Sequence, residues 1–193
     1  MNIAILTTGK SRGSNFVAIH DYLLKNNIDI TIKYIFATDD SAPIIQHAKL
    51  RNIKVILYKD RELKINDFLI DSILNNPVDL LVLTGFMRKI SKIFFQYIKI
   101  PMINIHPALL PKFGGKGMFG MNVHNAVFEA KEKISGATVH YVNEDYDKGN
   151  IIYQKECCIS DCSTPEDIAK KVLKVEHEIY PITIKNILFC SKK

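Results

Sequence analysis

Short apolar runs alternate with amphipathic segments over the first hundred residues. Five runs rich in Ile, Leu and Val are short enough for buried parallel strands, and they lie at Asn2–Thr7, Ile30–Phe36, Lys54–Leu57, Leu80–Leu83 and Met102–Ile105. The segments between them predict helices that begin with a cap at Ser14 or Asn15, span Pro43–Leu50, lie around 65–74 and span Ser91–Tyr97. This alternation predicts an α/β fold with a doubly wound, mostly parallel sheet.

The pattern changes after residue 105. Two further runs, Ala137–Val142 and Ile151–Ile159, are typical of strands, and a turn-rich segment connects them. A long last helix is predicted from Thr164, an N-cap residue followed by Pro and two acids, and Pro181 predicts a kink or break within it. We therefore expect a single domain over residues 1–193, with an antiparallel C-terminal strand and a long C-terminal helix.

Length and charge place the chain among ordinary globular proteins. Its 193 residues suit one domain, and 26 Lys and Arg against 20 Asp and Glu give a net charge of +6. The basic residues are scattered and Trp is absent, which is typical of a solvated surface and not of a nucleic-acid-binding stripe. Because no apolar run is long enough for a membrane span and the N-terminus lacks a basic leader, we expect a cytoplasmic protein.

The four cysteines do not predict a metal site. Cys157 and Cys158 are adjacent, Cys162 follows four residues later, and Cys190 lies near the end. This spacing does not match C-x2-C, and no His-Glu-x-x-His motif is present. We expect free thiols and no bound metal.

A glycine-containing segment, residues 9–15, joins the first strand to the first helix. Its Gly-Lys-Ser is not a P-loop, because Ala4 stands where that motif needs Gly, and the G-x-G-x-x-G spacing is also absent. Two interpretations stay open: a loop whose N–H groups and helix N-terminus hold one phosphate, or a plain turn. Asp39, at the end of the second strand, leaves a nicotinamide-dependent enzyme as a further alternative.

Three side chains suit catalysis at a carbonyl group. Asn104 and His106 alternate along one strand, so they should emerge on the same side at its carboxyl end. An amide donor beside an imidazole can polarise a carbonyl and stabilise an oxyanion. If Asp147 lies against His106, its charge should raise the pKa of the ring above the ordinary value. A strand-end histidine and a turn aspartate are also common structural features, and spacing alone does not decide between these interpretations.

Five motifs occur in one order: Gly13-Ser14-Asn15, Thr84-Gly85-Phe86-Met87-Arg88, the Asn-x-His-Pro-x-Leu-Leu-Pro block at 104–111, Gly136-Ala137-Thr138-Val139-His140 and Asp147-Lys148-Gly149. From Met1 to about Phe189 this series resembles the phosphoribosylglycinamide formyltransferase family of folate-dependent formyltransferases. The block at 104–111 is specific for the wider formyltransferase group. The Gly-Ser-Asn motif and the 176–181 segment narrow the resemblance to this family.

The resemblance implies a Rossmann-like formyltransferase fold and a role for each matching residue. It implies that Asn104, His106 and Asp147 are catalytic. Residues implied to bind a ribonucleotide substrate are Gly13, Ser14, Asn15, Leu173 and Glu176. Residues implied to bind folate are Arg61, Met87, Arg88, Lys89, Ile90, Asn143, Glu144, Asp145 and Tyr146, together with Asn104 and Asp147. Residues 1–100 would then form the phosphate and ribonucleotide half, and 101–193 the catalytic and folate-binding half.

The implied reaction is direct transfer of a formyl group in purine biosynthesis. The amine of glycinamide ribonucleotide would attack the formyl carbon of 10-formyltetrahydrofolate, a co-substrate, without a metal or an acyl-enzyme. Small molecules would be the partners, with no nucleic acid or membrane, and the protein would be a monomer or a weak homodimer.

Three other functions are considered beside this one. Methionyl-tRNA formyltransferase and formyltetrahydrofolate hydrolase are expected to carry a further domain, which these 193 residues are not expected to accommodate. A nucleotide-sensing regulator on the same sheet stays open.

Two loops depart from the common family pattern. The Gly9–Gly13 loop is longer, and the Gly114–Gly120 loop is rich in glycine and could act as a mobile flap. Neither loop is expected to contact the three catalytic residues. His140 is expected either to support His106 or to be a core histidine, and His124 to be structural or at the surface.

Overall fold

A computed structural model describes residues 1–58 and 64–190, and a seven-stranded sheet forms their centre. The strands are β1 (Asn2–Leu6), β2 (Thr31–Ala37), β3 (Lys54–Leu57), β4 (Leu80–Leu83), β5 (Met102–His106), β6 (Ile134–Tyr141) and β7 (Ile151–Cys158). Their order across the sheet is β3-β2-β1-β4-β5-β6-β7. The first five strands are parallel, β6 is antiparallel to β5, and β7 is antiparallel to β6.

Helices cover both faces of the sheet. They are α1 (Ser14–Lys25), α2 (Pro43–Leu50), α3 (Ile65–Asn75), α4 (Lys92–Tyr97), α5 (Met121–Glu129) and α6 (Pro165–Cys190). Alternate residues of β1 point to opposite faces: Ile3 and Ile5 pack in a core with α1, α2 and α6, whereas Ala4 and Leu6 pack in a second core with α3 and α4. Burial on both faces explains why the parallel strands are continuously apolar.

The strand order reverses between β1 and β4. From β1 the chain proceeds through β2 and β3 towards one edge, and it then returns to place β4 on the other side of β1. In open α/β sheets, a crevice for ligands forms outside the carboxyl ends of the strands at such a reversal. The carboxyl ends of β1, β4 and β5 meet at this place.

The predicted fold class is confirmed, including the antiparallel C-terminal strand and the long last helix. The predicted bounds of α2, β3 and β4 agree with the structure to the residue. Local periodicity was sufficient for these elements because each one is short, apolar and bounded by turn residues or Pro. The division into halves at residue 100 stays a prediction.

Two expectations about helices were wrong or incomplete. Of the kink or break expected at Pro181, the break is absent, because helix α6 continues through this residue. Ile179 and Ile184, on either side of Pro181, are buried in the same core, and this packing holds the helix together despite the hydrogen bond that Pro cannot donate. Helix α5 was not predicted, because it begins after Gly120 without a side-chain cap and buries little more than Val123 and Val127 on its apolar side.

Tyr180 connects α6 to the middle of the sheet. It is fully buried, and its hydroxyl donates to the carbonyl oxygens of Leu83 at 2.7 Å and Ile103 at 3.3 Å. Tyr180→Phe removes the donor from two buried acceptors, so we expect the free energy of unfolding to fall by about 1–3 kcal/mol. Urea unfolding followed by circular dichroism measures this change.

Tyr34→Phe is the matched control. Tyr34 is also fully buried, but its hydroxyl has no hydrogen-bond partner within the described part of the chain. Its removal should therefore leave the free energy of unfolding unchanged or raise it. Equal losses in the two variants would show that the Tyr180 hydrogen bonds do not stabilise the docking of α6.

Candidate active site

A cavity of about 560 Å³ opens at the carboxyl ends of β4 and β5, next to the first turn of α1. The predicted site residues that line it are Asn15, Met87, Arg88, Lys89, Ile90, Asn104, His106, Asn143, Glu144, Asp145, Tyr146, Asp147 and Glu176. Gly13, Ser14 and Leu173 are outside the lining, although Gly13 and Ser14 immediately precede Asn15. Arg61 lies outside the described residues. The fold thus collects most of the predicted residues from both halves of the chain.

Strand β5 places Asn104 and His106 on the same face, as the two-residue period of a strand predicts. The antiparallel register with β6 sets His140 opposite Asn104 and Thr138 opposite His106. Thr138 is buried and bonds to the chain just beyond β5, because its hydroxyl donates to the Ala108 carbonyl at 2.6 Å. The strand pair therefore holds His106 where the chain leaves the sheet.

The His106 ring is 3% exposed and has an oxygen next to each nitrogen. Its Nε2 lies 2.8 Å from the Phe113 carbonyl, so Nε2 carries a proton and donates it there. Its Nδ1 lies 3.5 Å from Oδ2 of Asp147. Two acceptors around one ring suit an imidazolium ion.

The expected rise in the pKa of His106 was wrong. Burial lowers the pKa of the ring below its ordinary value and outweighs the opposing effects of the Asp147 charge and the Phe113 carbonyl, and the neighbouring His140 lowers it further. The sequence pointed to the carboxylate but could not show how deeply the ring is buried.

Asp147 is held by several contacts. Its backbone has φ 57°, a left-handed conformation that Asp tolerates better than most residues. Oδ2 accepts a hydrogen bond from the Gly115 N–H at 2.9 Å, and Oδ1 lies 3.5 Å from Nε2 of His140. Burial raises the pKa of the Asp147 carboxyl, but the contacts with His140, His106 and Gly115 outweigh it and hold that pKa below its usual value. Asp147 is therefore an ionised carboxylate at neutral pH.

The glycine-rich loop contacts the candidate catalytic residues, contrary to expectation. The Phe113 carbonyl accepts from His106, and the Gly115 N–H donates to Asp147. A Cβ atom at Gly114, between them, would lie 2.4 Å from Leu110 Cδ2 and 3.3 Å from the Cβ of Asp147. A side chain at this position would force Leu110 to shift, so glycine favours a close approach that the sequence alone did not reveal.

The first turn of α1 begins at Gly13, which has φ 79°, and a Cβ there would lie 2.9 Å from Ile44. The expected cap by Ser14 or Asn15 is absent, because no side chain caps this helix. The Asn15 amide instead donates from Nδ2 to Oε2 of Glu176 at 2.6 Å. The backbone N–H groups at this helix start thus have no competing side-chain acceptor, as a phosphate site requires.

Glu176 reaches the cavity from α6 and is buried. Burial raises the pKa of its carboxyl from 4.5 to about 7, although the hydrogen bond from Asn15 opposes this rise. The Oδ1 atom of Asn15 is buried without a partner in the described part of the structure. Asn15 and Glu176 together offer groups to a polar substrate that enters the cavity.

The raised pKa of Glu176 predicts a pH-dependent stability. A carboxyl with a higher pKa in the folded than in the unfolded protein stabilises the fold below pH 4.5, and this contribution is lost as the pH rises through 7. Glu176→Gln stays neutral at every pH. The unfolding free energy of the wild type minus that of the variant should therefore fall by about 3 kcal/mol over this range, measured by urea unfolding.

The exposed Glu156→Gln serves as a comparison, because it removes a carboxyl outside the cavity. Parallel pH profiles for the wild type and Glu176→Gln would contradict a buried, protonated carboxyl at this position.

Two histidines that the sequence did not assign line the same cavity. His124, on α5, is 6% exposed and its Nδ1 atom has no partner in the described residues, so it is not a surface residue. Burial and the nearby His106 lower the pKa of His124. His140 contacts Asn104 and Asp147 and not His106 directly. The pairing of β5 with β6 was the missing information, since it alone places His140 opposite Asn104.

The described residues contain no group of three or more His, Cys, Asp or Glu side chains that could hold a metal ion. Cys157, Cys158 and Cys162 are free thiols. Among the helices at 1–58 and 64–190, none is both long and apolar enough to span a membrane.

Comparison with known proteins identifies relatives over most of the chain. Residues 1–184 match the family described as formyl transferase. The chain is 33% identical over 183 residues to the chloroplastic phosphoribosylglycinamide formyltransferase of Arabidopsis thaliana, covering 92% of this chain and 62% of that protein. It is also 33% identical over 189 residues to the phosphoribosylglycinamide formyltransferase of Bacillus subtilis, covering 96% and 93%. The chain thus spans less than two thirds of the plant relative and nearly all of the bacterial one.

Solved structures show the same fold. Glycinamide ribonucleotide transformylase 1 from Symbiobacterium toebii superposes with a TM-score of 0.85 at 27% identity, covering 97% of this chain and 87% of that one. Phosphoribosylglycinamide formyltransferase from Anaplasma phagocytophilum superposes with a TM-score of 0.84 at 30% identity, covering 97% and 86%.

Proposed function

The chain belongs to the formyl transferase family, and on that premise we propose that it transfers the formyl group of 10-formyltetrahydrofolate to the amine of glycinamide ribonucleotide. The observation that carries the proposal is the convergence of Asn104, His106 and Asp147 in one cavity, with the His106 ring 3.5 Å from the carboxylate. Relatives that carry the name phosphoribosylglycinamide formyltransferase at 31–34% identity support the choice of substrates.

The cavity suits a bicyclic folate ring. Its volume lies within the range of small-molecule sites. Met87 and Ile90 give one side an apolar surface, and the turn at 143–147 contributes backbone polar groups. In this turn the Asp145 N–H is already taken by Oδ1 of Asn143 at 3.0 Å, which fixes the loop shape. These segments would hold the folate, which supplies the formyl carbon.

At the other end of the cavity, α1 would hold the phosphate of the ribonucleotide. Gly13, Ser14 and Asn15 provide the start of the helix, where N–H groups and the helix dipole favour an anion. Glu176 would contact the same substrate from α6. Leu173 lies one turn before Glu176 on the same helix and stays a candidate contact.

Attack of the amine on the formyl carbon turns the formyl oxygen into an oxyanion. An N–H of Asn104 and the protonated ring of His106 would donate to this oxygen, and Asp147 would stabilise the charged ring. The Nε2 proton of His106 is donated to Phe113 in the free protein, so the formyl oxygen must replace that carbonyl. Collapse of the oxyanion would break the bond between the formyl carbon and the folate nitrogen, while a proton passes from the attacking amine through water to that leaving nitrogen; no acyl-enzyme forms. We propose that the protein acts on these small molecules as a monomer or weak homodimer in the cytoplasm.

A formyl-transfer assay tests the function. Purified protein is mixed with 10-formyltetrahydrofolate, with and without glycinamide ribonucleotide, and tetrahydrofolate release is followed by absorbance. Release that requires the ribonucleotide, with formylated product detected by mass spectrometry, is the expected result. Release without it would indicate hydrolysis, and binding without release would indicate a regulator; either result would overturn the proposal.

A further inference from the structure

The Asp147 carboxylate lies between two buried imidazole rings. Oδ2 is 3.5 Å from Nδ1 of His106, and Oδ1 is 3.5 Å from Nε2 of His140. The rings are 3% and 2% exposed, so water screens their charges little. The proposed mechanism uses the first of these contacts and leaves the second without a role.

The hydrogen bonds of His140 define the role of each of its ring nitrogens. Nδ1 lies 2.8 Å from the Tyr141 carbonyl, which only accepts, so Nδ1 carries a proton. In a neutral ring Nε2 is therefore an acceptor, and the amide Nδ2 of Asn104, 3.3 Å away, donates to it. This bond fixes the orientation of the Asn104 amide group and leaves the second N–H of Nδ2 available for a substrate oxygen.

The Asp147 carboxylate is the group through which His140 can affect His106. Its Oδ1 lies next to Nε2 of His140 and its Oδ2 next to Nδ1 of His106, so both rings lie against one negative charge. His140 lowers the pKa of His106.

Two other groups contact the His106 ring: Asp147 and the Phe113 carbonyl, and both favour its cation. His124 on α5 is near enough for the charge of His106 to lower the pKa of His124. His140 differs from His124 in that it contacts the carboxylate itself. It is therefore the histidine that can alter how Asp147 stabilises His106.

We propose that His140 is a positioning residue: its Nε2 accepts from the Asn104 amide and orients it, and its ring lies against the Asp147 carboxylate that stabilises the His106 cation. This inference rests on the proposed function for its catalytic consequence. The reaction needs a protonated His106 and an Asn104 N–H that faces the substrate, and His140 contacts both Asn104 and the carboxylate that stabilises His106.

His140→Gln tests the effect of His140 on the His106 ring. The Gln amide can accept from Asn104 and donate to Asp147, but it cannot become a cation. We expect the titration midpoint of His106, followed by NMR in the unliganded protein, to rise by at least about 0.5 pH unit. His106→Ala identifies the resonance, and His47→Gln, on α2, controls for the loss of one histidine elsewhere. An unchanged midpoint in the folded Gln variant would overturn the proposal.

His140→Leu tests the orientation of Asn104. It removes the acceptor of the Asn104 N–H, so we expect kcat to fall about 10-fold or more with little change in KM, whereas His140→Gln should retain kcat within about threefold. If His140 were purely structural, the Leu and Gln variants would have the same kcat, and neither would change the titration midpoint of His106. Equal kcat in both would contradict the positioning role.

Circular dichroism and urea unfolding establish that each variant is folded. If His140→Gln is insoluble, His140→Asn removes the same ring with a smaller side chain. The same rise in the His106 titration midpoint is then expected for this variant. The titration needs no substrate, so it can succeed even if the wild type transfers no formyl group. Failure of the proposed function and failure of this inference are therefore separate results.

Discussion

His106→Ala lowers kcat by about 10²-fold or more while the protein remains folded, if the ring donates to the oxyanion as proposed. The variant removes a donor to the developing charge and leaves Asp147 Oδ2 with the Gly115 N–H but without the His106 ring. Because the substrates are held by other segments, KM should change much less than kcat. Steady-state formyl transfer at saturating substrates measures the loss.

His47→Ala is the matched control for this variant. His47 lies on α2, on the part of the sheet away from β5, and it does not line the cavity. Its kcat should equal that of the wild type. Wild-type turnover by a folded His106→Ala protein would contradict the catalytic role proposed for the His106 ring.

Asp147→Asn should lower kcat by at least about 10²-fold, because the carboxylate that stabilises the charged ring is lost. Asn is the suitable replacement, since it tolerates the φ of 57° and can still accept from Gly115. The comparison therefore isolates the charge from the shape of the side chain.

The same variant predicts a shift in pH dependence. Asp147 raises the pKa of His106, against the lowering effect of burial, so its neutralisation lowers that pKa further. Activity that needs the protonated ring falls as the pH rises through this pKa. The descending limb of the kcat profile should consequently move to lower pH in Asp147→Asn.

Asp71→Asn, at an exposed position of α3, controls for the loss of one negative charge. Its pH profile should superimpose on that of the wild type. An Asp147→Asn profile that keeps the wild-type limb would show that the carboxylate does not stabilise the His106 cation.

Local pattern was enough to predict most of the fold. Apolar strands between capped or Pro-initiated helices specify alternating elements, and the alternation in turn specifies a doubly wound sheet. Helix α5 was not predicted, because its start lacks a side-chain cap and its apolar pattern is short. The continuation of α6 through Pro181 was not predicted either, because packing on both sides of the proline outweighs the missing hydrogen bond.

In the candidate site, too, some features follow from the sequence and others depend on the tertiary structure. The shared face of Asn104 and His106 follows from the period of one strand, so the sequence contains it. Asp147 lies 41 positions beyond His106, and its approach needs the β6–β7 connection to fold back over the end of β5. The contacts of Phe113 and Gly115 depend on a loop path that no periodicity describes.

The identity of most cavity-lining residues was thus readable from the chain, together with the strand that carries two of them, and their catalytic roles stay a proposal. The depth at which His106 is buried, and with it the direction in which its pKa moves, was not. The partnership of His140 with Asn104 and Asp147 was also decided in three dimensions. Burial and cross-strand distance depend on segments far apart in sequence, whereas hydrophobic patterning records only the immediate neighbours of each residue.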